Sequence, residues 1–223
     1  MGPLDHWAAT QQSMTALGRD LTDEQAELVV PACPEWTVRQ VFAHQAGVAA
    51  DILGGRLEGV TTDPWTDRQV TERAEHSLTR ILDEWDADAP RLLEAMAPLG
   101  DAVDSRMVID IWTHEQDVRG AVGRAGNRSG PVMDWILVAA GNHLERQFDR
   151  AGLPPLVVET GAGPTPVGGA SLSVDAFELA RALTGRRSLD QMRAWAWTVE
   201  DPEPYLSLIP AFSARTTDLI EPA

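Results

Sequence analysis

The sequence predicts a mainly α protein, with a helical bundle over residues 1–152 and a small α+β domain over 153–223. Two observations carry this expectation. As far as about residue 151, apolar residues recur at helical spacing between capping signals and glycines. After Gly152 the chain turns to LPPLVVETGAGPTPVGGASLSV, rich in Pro and Gly with short β-branched segments. At 43% hydrophobic residues, a chain of 223 residues has enough apolar material for a core.

Leu4, Trp7, Ala8, Met14 and Leu17 predict a first helix over 4–19. Residues 22–30 hold one short helical turn, and Pro31 and Pro34 then force an extended loop. Thr37-Val38-Arg39-Gln40 is a capping box. The helix it opens has Val38, Val41, Phe42, Ala49, Ile52 and Leu53 on its apolar side and weakens at Gly54-Gly55. Residues 59–64 form a loop. Thr66-Asp67-Arg68-Gln69 reads as a second capping box, starting a long helix through Val70, Ala74, Leu78, Ile81, Leu82 and Trp85. Pro90 is expected to break or kink that helix, which resumes over 92–99. Residues 108–123 form an amphipathic helix stopped by Gly123. Pro131 suits a first helical position, and the helix from there to Ala151 buries Trp135, Ile136, Val138, Ala139, Leu144 and Phe148.

In the second domain, segments near 156–159 and 170–174 read as a hairpin, or a strand pair joined by a flexible loop. Two short helices follow, 175–183 and, capped by Ser188, 189–195. The tail, with Pro202, Pro204 and Pro210, holds one helical turn around 205–208.

Charge narrows the function. A net charge of −16 and a pI near 4.6 argue against binding nucleic-acid phosphates or anionic membranes. No apolar run approaches the roughly 18–20 residues of a spanning helix. The start, MGPLDHWAAT, lacks the basic and apolar regions of a signal peptide. Cys33 alone allows no internal disulfide, which agrees with a cytoplasmic location. Eight tryptophans against one tyrosine suit both a core and the walls of a site.

The chemistry centres on residues 108–123. Asp110 and His114 lie four apart, so on a helix they project from one face and can share a divalent cation. Asp117, three residues on, is placed to hold the other imidazole nitrogen. The competing reading of all three is an exposed polar stripe. His44 lies in a run of small and apolar residues, FAHQAGVA, where a buried imidazole needs partners on its nitrogens. A metal or a carboxylate would satisfy it. His44 is therefore the best third donor beside Asp110 and His114. His76 and His143, among Arg and Glu, read as surface residues, and His6 is undecided.

Three segments carry a resemblance. Cys33-Pro34-Glu35-Trp36-Thr37-Val38-Arg39 followed by Val41-Phe42-Ala43-His44 resembles the C-P-G-W-T-V-R-D-L-x-A-H segment of the mycothiol-dependent maleylpyruvate isomerase family, within the DinB-like metal-binding superfamily. His114-Glu115-Gln116-Asp117-Val118-Arg119, with Ala121-Val122-Gly123, resembles that family's H-x-x-D-[LV]-R-x-A-x-G helix. Residues 174–188, VDAFELARALTGRRS, are similar to its small C-terminal domain. The resemblance implies a DinB-like four-helix bundle holding one divalent ion, usually zinc, on a histidine, an acidic residue and a second histidine. These map onto His44, Asp110 and His114. The family's acidic ligand is usually Glu. Asp110 is one methylene shorter and reaches roughly 1.5 Å less far. Cys33 belongs to the loop motif and need not be a ligand.

In that family the thiol is mycothiol, which implies a metal-bound thiolate acting in S-transfer or in cis–trans isomerisation of a small electrophile. An anionic substrate needs a cation. Arg181, Arg186, Arg187 and Arg215 of the second domain are candidates if that domain covers the bundle mouth, with Arg187 and Arg215 foremost; surface solubility is the competing reading for each. The alternative class is a non-catalytic metal- or small-molecule-binding protein on the same scaffold. The expected partners are a small-molecule substrate and a thiol, with no nucleic acid and no membrane.

Overall fold

The structure, a computed structural model, describes residues 1–161 and 170–222. It divides into two compact units, 1–126 and 127–221. The division falls one helix earlier than the boundary expected after residue 152.

The first unit contains α1 (Pro3–Arg19), α2 (Asp23–Ala26), α3 (Val38–Leu53), α4 (Asp63–Thr71), α5 (Leu78–Met96) and α6 (Ser105–Val122), with a 3-10 segment, Ala97–Ala102, between the last two. Helix α1 packs on α5 and α6, and α3 packs on the same two, so the four form a bundle in the order α1–α5–α3–α6. Helix α4 lies against α3. The capping box at Thr37 forms as expected: the Thr37 N–H donates to Gln40 Oε1 at 2.8 Å, and the Gln40 N–H donates to Thr37 Oγ1. Asp104 caps α6, and Gly123 ends it with φ 69°, a left-handed conformation that suits glycine.

Trp85 sits in the bundle core. Trp7 and Phe42 meet it edge-on, with ring centroids 6.4 and 6.5 Å away. Burying a side chain such as Phe42 stabilises by about 1.5–3 kcal/mol. The helices approach closely at Gly18, where a Cβ would lie 2.8 Å from Phe42 Cζ.

The long helix expected from Thr66 is instead two helices. Thr62, not Thr66, precedes α4, and residues 72–77 separate it from α5. Tertiary contacts make the break. The Arg39 Nη1 donates to the carbonyl of Ala74 at 3.1 Å, and buried Arg73 pairs with Glu84 on α5. Pro90 does not end α5, which runs on to Met96.

The second unit contains α7 (Pro131–Arg150), β1 (Leu156–Glu159), β2 (Ala170–Ser173), α8 (Ala176–Leu183), α9 (Leu189–Arg193), β3 (Ala196–Trp197) and α10 (Glu203–Leu206). The two expected strands pair, but in parallel, with Leu156 opposite Ala170, so they are not a hairpin. The flexible loop expected between them falls mostly on 162–169, outside the described residues. Strand β3 adds to β2 antiparallel. The core of this unit gathers Leu144, Phe148, Leu172, Leu179, Met192 and Tyr205. The fold is thus mainly α, with a four-helix bundle and a small C-terminal three-stranded sheet. Among the described residues, no helix is long and apolar enough to cross a membrane.

Candidate metal centre

Helices α3 and α6 bring the three expected ligands together. Asp110 Oδ2 lies 3.7 Å from His44 Nε2, and Asp110 Oδ1 lies 3.6 Å from His114 Nε2. The imidazole centroids are 5.1 Å apart. One ligand atom from each residue lies within 4.8 Å of the other two. Two donors on a tetrahedral zinc, each about 2.0–2.1 Å from it, are about 3.3–3.5 Å apart. The two imidazole–carboxylate spacings come within a few tenths of an ångström of that value.

The opposite nitrogens face polar groups. His44 Nδ1 lies 2.7 Å from Gln69 Oε1 on α4. Gln69 Nε2 donates to Asp51 Oδ2 at 2.8 Å, and Asp51, at the end of α3, pairs with Arg56 at 2.7 Å and Arg68 at 2.8 Å. His114 Nδ1 lies 3.1 Å from Asp117 Oδ2, the bracing contact expected from their spacing. Gln45 Nε2 donates to Asp110 Oδ2 at 2.7 Å.

Burial is uneven across the three. The imidazoles of His44 and His114 are 5% and 9% exposed, while the Asp110 side chain is 40% exposed. Desolvation pushes the Asp110 carboxyl up, but the neighbouring His114 and His44 imidazoles and the Gln45 amide together outweigh it and hold the group below its usual range. Asp110 is a carboxylate at neutral pH, ready to bind a cation.

The proline loop supplies a wall. Val29 and Thr37 bridge its two arms, the Val30 N–H donates to the Trp36 carbonyl at 2.9 Å, and the Trp36 N–H donates to the Cys33 carbonyl at 3.0 Å. This turn sets the Trp36 ring over both imidazoles, with centroids 5.1 Å from His44 and 5.8 Å from His114. Cys33 stands on the Asp117 side of His114, its Sγ 4.0 Å from Asp117 Oδ2. Cys33, His114 and Asp117 thus form a second group of donors that shares His114. Glu115, the longer carboxylate next along α6, is fully buried and engaged by Arg119 and Ser13.

Residues 7–125 match the family model described as the mycothiol maleylpyruvate isomerase N-terminal domain. The chain belongs to that family. The maleylpyruvate isomerase match coincides with the first unit, which holds His44, Asp110 and His114. A crystal structure of the mycothiol-dependent maleylpyruvate isomerase is similar in fold, at TM-score 0.55 and 12% identity, covering 82% of this chain and 88% of that one. A histidine-to-alanine mutant of the mycothiol-dependent maleylpyruvate isomerase gives TM-score 0.56 at 10% identity, covering 89% and 92%. No curated protein matches. The family is named for an enzyme.

The two foremost arginines lie in the second unit. Arg187 is buried at 1% exposure, with Nε and Nη2 on the two Glu178 oxygens at 2.6 and 2.7 Å and Nη1 2.9 Å from Glu221. Glu221 also takes Arg181. The Arg215 N–H donates to the Arg187 carbonyl at 3.1 Å, and its Nε donates to the Thr217 carbonyl. Sequence reasoning missed Gln45, Asp51 and Gln69 as site residues. The sequence offers Gln69 as half of a capping box, and no spacing rule ties it to a histidine 25 positions earlier.

Proposed function

We propose that this protein is a metal-dependent, thiol-using isomerase or S-transferase acting on a small electrophilic substrate, with mycothiol as the thiol. One observation carries the reading: two imidazole Nε2 atoms converge on one carboxylate, with Gln69 behind the first ring and Asp117 beside the second. Such a donor set suits zinc and leaves a coordination position open, although nickel, iron and manganese accept the same donors. A divalent ion held there supplies the charge that lowers the pKa of a nearby thiol.

The chain's own residues do the rest. Gln69 and Asp117 orient the imidazoles, Gln45 steadies the carboxylate, and Trp36 keeps water off one side. Reversible addition of a thiolate to an activated double bond allows rotation about that bond and gives cis–trans isomerisation; retention of the sulfur gives S-transfer. Arg187 and Arg215 are the proposed cations for an anionic substrate.

The test is metal analysis followed by turnover. One zinc per chain, lost in His44→Ala and His114→Ala, together with mycothiol-dependent isomerisation of maleylpyruvate or thiol transfer to another electrophile, supports the proposal. Tight zinc with no thiol adduct across a broad electrophile panel overturns the enzymatic reading and leaves a binding protein.

A further inference from the structure

We infer that Gln69 is a positioning residue that locks His44 in the tautomer whose Nε2 lone pair faces the metal position. The inference rests on the metal reading above.

A glutamine amide can turn either end toward a histidine, and coordinates alone seldom distinguish the two. Here the surroundings decide. The far end of the Gln69 amide faces Asp51 Oδ2 at 2.8 Å. Asp51 is fully buried and ion-paired with Arg56 and Arg68, so it is a carboxylate and accepts only. The amide must present its NH₂ to Asp51 and its oxygen to His44. The His44 Nδ1, 2.7 Å from that oxygen, must then carry the proton. With one proton on a neutral imidazole, Nε2 is left as a lone pair, and it faces Asp110. Asp51 thus sets the tautomer of His44 through a single amide, without touching the metal position itself.

The amide has little freedom to do otherwise. Gln69 is fully buried on α4, and Gly47 of α3 lies beneath it, where a Cβ would meet Gln69 Cβ at 2.4 Å.

Two measurements test this. The first uses metal-free wild-type protein at about pH 8, where an ordinary imidazole is neutral. Long-range proton–nitrogen correlation spectra should show His44 protonated at Nδ1; protonation at Nε2 would overturn the inference without reference to metal or to any variant. The second uses zinc affinity by competition with a chromophoric chelator. Gln69→Leu should weaken zinc by about 10- to 100-fold. Zinc affinity in Gln69→Leu within twofold of wild type overturns the inference while leaving the metal site standing. Failure of wild type to bind zinc overturns the metal reading, and the tautomer spectrum still judges Gln69 alone.

Discussion

Gly47 and Gln69 approach so closely that any side chain on Gly47 would displace the residue behind His44. A Cβ there would lie 2.4 Å from Gln69 Cβ and 2.7 Å from its Cγ. Gly47→Ala is therefore expected to destabilise the first unit by about 1–3 kcal/mol, as overpacking does, and to weaken zinc as well. Denaturant midpoints and chelator competition on the same variant check both effects. A stable variant with unchanged zinc affinity would contradict the close packing.

Asp110 is the anionic arm of the candidate centre. Asp110→Asn keeps its shape and removes its charge. Zinc affinity is expected to fall by more than about 100-fold, beyond the range of changes behind the ligands. Isothermal titration reads this directly, with thermal melts confirming that the bundle still folds.

Trp36 should report on the ion. Its ring lies over both imidazoles. Cobalt(II) is expected to quench the tryptophan fluorescence of the wild type, and Trp36→Phe to remove the largest share of that quenching with affinity nearly unchanged. Trp65, 6.5 Å from His44 by ring centroids, accounts for part of the remainder. Equal quenching in both proteins would place the ion elsewhere.

Cys33 meets Asp117 through a weak 4.0 Å contact. Cys33→Ser is expected to keep one zinc per chain, measured by mass spectrometry of the purified protein. Loss of the metal would shift the centre to the second group of donors behind His114.

Acid should loosen the second unit through Glu178. Burial pushes its carboxyl up, but the Arg187 contact, aided by the charges of Arg128 and Arg181, wins and holds it below its ordinary 4.5. The folded state thus binds the proton less readily than the unfolded state. The contribution of Glu178 is whole above pH 4.5 and is lost as pH falls through the lower folded value. Glu178→Gln should lower the melting temperature at neutral pH, and the gap from wild type should narrow in acid. A gap that is constant with pH would show that the charge is not the source. The side chain is partly exposed, so salt should shrink the effect.

Much of this was legible in the sequence, for physical reasons. Capping at Thr37 and Ser188 is local chemistry, and both caps form. The pairing of Asp110 with His114 follows from helical pitch, and the small residues around His44 announced its burial. The break before α5 was not legible. Val70, Ala74 and Leu78 keep helical spacing across it, and the contacts that interrupt the helix come from Arg39 and Glu84, far along the chain. Strand direction was hidden for a similar reason: two short β-branched segments look alike whether they pair parallel or antiparallel. Gln69 was misread because a helix-start signature and a buried bracing amide use the same residue.

The uneven exposure of the three donors has a kinetic meaning. Both rings are walled in while the carboxylate side is open to solvent. Chelators are therefore expected to reach a bound ion over Asp110, and their stripping rate should respond to changes at that short acidic arm more than to changes behind the imidazoles.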